Sequence, residues 1–205
     1  MSSHHVLGIC GSLRSGSFNA ALLRAAVEQA PAGMTIEISD ALRELPPYDG
    51  DLDTPERRPA AVADFRHKVE QADGLLLVTP EYSHSIPGVL KNALDWVSAE
   101  LPEGLPLRRK PVAITGSSPS AFGSVRAQQT LRQVLFSTHS DVVLRPEVAV
   151  FGAYQRFDEQ GRLTDETTAG LLHDLLRALA ETIDRQRGHH EIAALAGAGA
   201  EREAS

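Results

Sequence analysis

Residues 5–27 read HVLGICGSLRSGSFNAALLRAAV, and three textures follow one another within that stretch. Residues 5–10 are an apolar run of strand length, and residues 20–27 carry apolar side chains at helical spacing. Between them, residues 11–19 form a loop with three hydroxyls (Ser12, Ser15, Ser17), one guanidinium (Arg14), one amide (Asn19) and two glycines (Gly11, Gly16). A strand that passes through such a loop into a helix turns free backbone N–H groups and the positive end of the helix dipole toward an anion. The stretch predicts an α/β chain whose first loop holds a phosphate.

What the loop lacks narrows the phosphate. A nucleotide-triphosphate loop needs Lys and then Ser or Thr after its last glycine, whereas Ser17 and Phe18 follow Gly16. The dinucleotide pattern G-x-G-x-x-G is also missing around Gly8 and Gly11. Hydroxyls with a single Arg suit a terminal monophosphate bound without metal. The plainer alternative is a Ser-rich turn in which Ser17 only caps the helix.

With 205 residues, 42% hydrophobic and 23% charged, the chain has the size and balance of one globular domain. We take residues 1–190 as that domain. The remainder, 191–205, is Ala-, Gly- and Glu-rich and reads as a disordered tail. A formal net charge of −7 argues against a nucleic-acid partner. No apolar run approaches the roughly 18 residues of a membrane span, and no secretory signal is visible. The single cysteine, Cys10, has no internal disulfide partner, and a cytoplasmic location is the simplest reading. Cys10 itself reads as a small buried residue at a strand end.

Strand and helix patterns alternate along the rest of the chain. Residues 34–38 read as an edge strand, 41–59 as a long loop and 61–71 as a helix. A continuous apolar run at 74–79 reads as a central strand, followed by a helix over 88–97 and a strand over 111–115. A helix over 124–136, a fifth strand interrupted near Pro146, and a helix from about Asp165 complete the pattern. The fold class expected is α/β: a flavodoxin-like, doubly wound five-stranded parallel sheet of order 2-1-3-4-5 with helices on both faces. Ligands on such sheets sit beyond the carboxyl ends of strands one and three.

The loop after the third strand, residues 79–88, is stiffened by Pro80 and Pro87 and presents Glu81, Tyr82, Ser83 and His84. The loop after the fourth, residues 116–123, is again small and polar, with Ser117 near its start. Three such loops on one rim suit an elongated ligand, with phosphate at the first and a planar ring at the second. Glu81 has no neighbouring His or carboxylate to make it an acid–base pair. The histidines lack metal-ligand spacing, and no G-x-S-x-G nucleophile elbow occurs.

These residues resemble the NAD(P)H-dependent FMN reductase family, in particular its quinone and chromate reductase branch. The likeness rests on GSLRSGSFN at 11–19 and on TPEYSHSIPGVLKNALDW at 79–96, and it extends over about residues 5–185. It implies an FMN phosphate held by Ser12, Arg14, Ser17, Phe18 and Asn19. The isoalloxazine would be lined by Pro80, Glu81 and Tyr82, with Ser83 at its polar edge and Ser117 opposite. The family commonly has Asn where this chain has Ser83. His84 stands where the incoming nicotinamide or acceptor is met, which makes it the substrate-binding candidate. The activity implied is two-electron, ping-pong hydride transfer from NADPH or NADH through flavin N5 to quinones or to chromate, azo or nitro compounds. No protein acid or base is obligatory. A homodimer or homotetramer is implied, with residues 91–96 and Arg126 as candidate interface parts; the alternative for Trp96 is the core. No basic cluster marks a site for the NADPH 2′-phosphate, to which Arg14, Arg57 and Arg58 are the candidate contributors. Two rivals from other classes are a flavodoxin-type one-electron carrier and a non-catalytic nucleotide-binding regulator.

Overall fold

The structure, a computed structural model, describes the backbone of residues 3–98 and 104–203, and the side chains of those residues up to 188. Strand β1 (His4–Cys10) leads into helix α1 (Phe18–Glu28), strand β2 (Met34–Ser39), helix α2 (Ala60–Gln71) and strand β3 (Gly74–Val78). Helix α3 (Gly88–Trp96), strand β4 (Pro111–Ser117) and helix α4 (Val125–Ser137) follow. Two short strands, β5 (Asp141–Val142) and β6 (Val148–Val150), precede the last helix, α5 (Glu166–Glu203).

Every pairing is parallel and the order is β2-β1-β3-β4-β5, with β6 also on β4. The fifth strand expected from the sequence is therefore present in two pieces. β5 pairs with the start of β4 and β6 with its end. Pro146 lies between the pieces, where a residue without an N–H cannot extend a ladder.

The side chains of β3 show why both faces must be covered. Leu75 and Leu77 enter one core layer with Phe65 of α2, Leu94 of α3 and Leu131 of α4. Leu76 and Val78 enter the other with Leu22 of α1 and Leu175 of α5. Successive residues of a strand point to opposite sides, so an unbroken apolar run needs apolar partners on both. β2 lies at the sheet edge and alternates, with Met34 and Ile36 buried and Thr35 exposed.

The long 41–59 loop contains two 3-10 turns, Ala41–Arg43 and Gly50–Leu52. The Asp165 carboxylate accepts from the Thr168 N–H at 2.8 Å and so caps α5, as its place in the sequence suggests. Residues 191–203, read from composition as a tail, carry helical backbone as the continuation of α5. Their alanines have the highest intrinsic helix propensity.

Candidate functional site

The loops that follow β1, β3 and β4 meet on one rim because those strands are sheet neighbours. The ladder extends slightly into the loops: Gly11 N–H donates to the Val78 carbonyl and Thr79 N–H to the Thr115 carbonyl, both at 2.9 Å. Gly116 marks the tightest approach. A Cβ there would stand 2.1 Å from the Thr79 carbonyl oxygen and 2.2 Å from Ser124 Oγ, so only glycine allows β4 to pass.

In the first loop, Ser17 caps α1. Its Oγ accepts from the N–H groups of Asn19 and Ala20, each at 3.2 Å. The N–H groups of Gly16, Ser17 and Phe18 make no hydrogen bond among the described residues, and the first turn of α1 carries no acidic side chain. Those donors and the helix dipole make an anion seat. Arg14 is exposed beside it with no ion-pair partner among the described residues.

Asn19 is buried, and its side-chain amide is taken up by the backbone of Ser117. Its Nδ2 donates to the Ser117 carbonyl at 2.9 Å, and its Oδ1 accepts from the Ser117 N–H at 2.8 Å. The amide thus acts as one rung of a β-ladder, joining the start of α1 to the end of β4. Ser12 Oγ lies 3.3 Å from Tyr82 Oη, which spans from the first loop to the second.

Glu81 has a role that its local sequence does not reveal. Its Oε2 accepts from the backbone N–H of Arg126, and its Oε1 from Arg126 Nη1, both at 3.0 Å. The Glu81 carboxylate therefore caps α4, whose own N-cap Ser124 makes no side-chain capping bond. Burial alone would raise its pKa; the hydrogen bonds and charge of Arg126 prevail and hold it below the ordinary carboxylate range. A carboxylate so committed is no proton shuttle at neutral pH.

Ser83 and His84 form the tip of a two-residue hairpin. Tyr82 and Ser85 exchange both backbone hydrogen bonds at 3.0 Å. The tip residues have φ of 49° and 64°, the left-handed pattern of a type I′ turn. Both are exposed at the rim. Cys10 is half-buried, and burial pushes its thiol pKa up despite hydrogen bonds from Ser12 and Ser17, so it is not a reactive thiolate.

Ser12, Arg14, Ser17, Phe18, Asn19, Pro80, Glu81, Tyr82 and Ser117 line a single cleft. Of the cofactor-contact residues expected from sequence, Ser83 alone lies outside it, one position beyond Tyr82. Sequence reasoning missed Ser118 and Pro119, which complete the wall. Arg126, a candidate interface part from sequence, pairs with Glu81 within the chain and keeps 38% of its side chain exposed. Trp96 belongs to the core: it is fully buried and donates Nε1–H to the Pro46 carbonyl at 2.8 Å. Asn92 holds the same loop, donating to Pro46 and accepting from the Tyr48 N–H.

A flavin mononucleotide fits this donor set. The phosphate would meet unsatisfied N–H groups, and Ser117 Oγ, buried at the cleft, has no partner among the described residues. The enclosed volume is about 80 Å³, well below the roughly 300–1,000 Å³ of pockets that engulf a ligand.

A sequence model of the NADPH-dependent FMN reductase family matches residues 4–155. The chain is 45% identical over 183 residues to an NAD(P)H-dependent FMN reductase of Pseudomonas aeruginosa, covering 89% of this chain and 97% of that one. It is 40% identical over 181 residues to a quinone reductase of Escherichia coli, covering 88% and 95%. Among solved structures, a flavoenzyme NAD(P)H:(acceptor) oxidoreductase from Paracoccus denitrificans superposes with a TM-score of 0.80 at 29% identity, covering 89% of this chain and 98% of that one.

Proposed function

We propose that this chain, which belongs to the NADPH-dependent FMN reductase family, carries two electrons from NAD(P)H to quinones in a ping-pong order. The observation that supports this most is the single cleft gathering Ser17 and Phe18 of the anion seat with the stiff second loop and the end of β4. FMN, when bound, supplies the redox chemistry, taking hydride from the nicotinamide and giving both electrons to the acceptor.

The chain's own tasks follow from the geometry. The N–H groups of Gly16, Ser17 and Phe18 hold the phosphate, with Arg14 adding charge from the side. Pro80, Glu81 and Tyr82 offer backbone groups to the ring edge, and Glu81 keeps that segment registered against α4. Ser117 closes the opposite wall. Ser83 and His84 stand at the rim, where nicotinamide and acceptor arrive in turn on the open side. One open side for both substrates is the physical basis for the ping-pong order. The proton that completes reduction to a hydroquinone comes from solvent, since Glu81 stays ionised. Chromate, azo and nitro compounds are secondary acceptors in this reading, reached through the same opening.

We also infer self-association as a homodimer or homotetramer and a cytoplasmic location. Phe136 on α4 is 82% exposed and Leu144 is 74% exposed, which supports an apolar contact between copies. No described helix is long and apolar enough to cross a membrane.

The test is direct. FMN is titrated into flavin-free protein and followed by fluorescence quenching. Initial rates with NADPH and a benzoquinone are then measured over a grid of concentrations. Quenching with parallel reciprocal plots supports the proposal; a protein that binds no FMN overturns it, and intersecting plots overturn the ping-pong order. Light scattering in solution decides the assembly.

A further inference from the structure

We propose that the cleft on the outer side of the first loop receives the adenosine 2′-phosphate end of NADPH, with Arg24 on the phosphate and Tyr154 against the base. This deepens the reductase reading and rests on it. The cleft encloses about 480 Å³, within the roughly 300–1,000 Å³ of small-ligand sites. Its wall includes Gly16, Ser17 and Phe18 of the anion seat, of which Ser17 and Phe18 also line the cleft that seats the cofactor. The two sites are therefore neighbours across one strip of backbone.

Three chemistries converge in it. Tyr154 is 75% exposed, and its ring is fixed edge-on to Phe18 at 5.0 Å and 88°, leaving a rigid aromatic surface for a base. Arg24, on α1, lies against the hairpin spanning 157–163. Its Nη2 would be 3.3 Å from a Cβ at Gly161, where φ is +73°. Arg24 has no ion-pair partner among the described residues. The Asp158 carboxylate on the same wall is paired with Arg162 Nε at 2.7 Å. Glu159 is exposed on the same wall and can accept from the 3′-hydroxyl, the one hydroxyl left on that ribose.

Of the arginines that sequence offers for a 2′-phosphate, Arg58 is closed off. Its Nε is 3.0 Å from Asp53 Oδ1 and both side chains are buried. Arg24, which carries no such signal in the sequence, is exposed, has no ion-pair partner among the described residues and shares its cleft with Tyr154. A guanidinium favours a phosphate dianion over a hydroxyl, so the cleft selects NADPH over NADH.

Calorimetric titration of FMN-saturated protein with 2′,5′-ADP and with 5′-AMP tests this, alongside a fluorescence titration of FMN. The wild type is expected to bind 2′,5′-ADP about tenfold or more tightly than 5′-AMP. Arg24→Ala loses roughly tenfold to a hundredfold of the 2′,5′-ADP affinity, brings the two ligands level and leaves FMN affinity unchanged. Arg24→Lys recovers part of the loss. Tyr154→Leu weakens both nucleotides by about fivefold or more. Unchanged 2′,5′-ADP affinity in Arg24→Ala overturns the proposal. Displacement of FMN by 2′,5′-ADP also overturns it, because the cleft would then belong to the cofactor's phosphate. Failure of the wild type to bind FMN refutes the reductase reading instead, and the same nucleotide titration on the flavin-free protein still decides the cleft.

Discussion

Replacing Asn19 by Ala should unfasten the site while leaving its surface chemistry in place. The side chain makes two hydrogen bonds to the backbone of Ser117, at 2.8 and 2.9 Å, and both residues are buried. Each bond is worth about 1 kcal/mol net, and a buried group left without its partner costs about 1–3 kcal/mol. Ser117 would lose the partner of both its N–H and its carbonyl, partly regained if water enters. The expected loss is about 2–5 kcal/mol, and at about 2–4 °C per kcal/mol for a chain of this size the melting temperature falls by roughly 5–15 °C. Melts should be run without FMN, because a ligand at a hundred times its dissociation constant adds about 2.7 kcal/mol and would hide the effect. FMN titration at a temperature where the variant is folded then reads the second consequence. With the start of α1 no longer tied to β4, the anion seat loses its fixed geometry and affinity drops. A melting temperature within about 1 °C of wild type would refute the claim that this amide holds the first loop. Asn19→Asp keeps an acceptor for the Ser117 N–H but sets a carboxylate oxygen against the Ser117 carbonyl. It should therefore harm FMN binding at least as much as Asn19→Ala.

Glu81→Gln should destabilise by about 1–3 kcal/mol at neutral pH, since a charge-assisted cap of α4 becomes a neutral one. Because the folded pKa of Glu81 is lowered, the wild-type advantage should be full above the ordinary carboxylate pKa of about 4.3 and shrink as pH falls below it. Urea midpoints of the two proteins measured from pH 7 to pH 3 check this, and a constant difference would contradict it. Gly116→Ala has no room for its methyl against the Thr79 carbonyl. It should cost more than about 4 kcal/mol and appear as loss of soluble folded protein. Ser83→Asn should raise the melting temperature by about 1–3 °C, because asparagine tolerates the left-handed φ of 49° better than serine does. A lower melting temperature would mean that the Ser83 side chain contributes more than its backbone.

The parts of this molecule that repeat locally could be read from sequence. The unbroken run in β3 announces a doubly covered strand, and the loop between β1 and α1 announces an anion seat, because both signals lie within a few neighbouring residues. The ties across the site could not be read. Asn19 meets Ser117 and Glu81 meets Arg126 only after the sheet has placed β4 beside β3 and β3 beside β1. Glu81 has no charged partner in its own loop, and its commitment to α4 depends on that strand order. Trp96 is a similar case, since a tryptophan on an amphipathic helix suits a core or an interface equally well. Its Nε1–H settles the matter by reaching Pro46. For residues 191–203 composition suggested a tail, and their alanines equally suit the helical backbone that continues α5.

Taken together, the ties form a closed circuit. Asn19 joins the first loop to the end of β4, Ser12 and Tyr82 join the first loop to the second, and Glu81 joins the second to α4, which follows directly from β4. A circuit of this kind fixes three loops against each other before any ligand arrives, which lowers the ordering cost of binding. Its links are unequal. Asn19 and Glu81 are held by two contacts each at 3.0 Å or less, with little exposure. The Ser12–Tyr82 contact is single, at 3.3 Å, and Tyr82 is 45% exposed. The Ser12–Tyr82 contact is therefore the weakest link of the circuit, and Asn19 and Glu81 carry most of its constraint on the three loops.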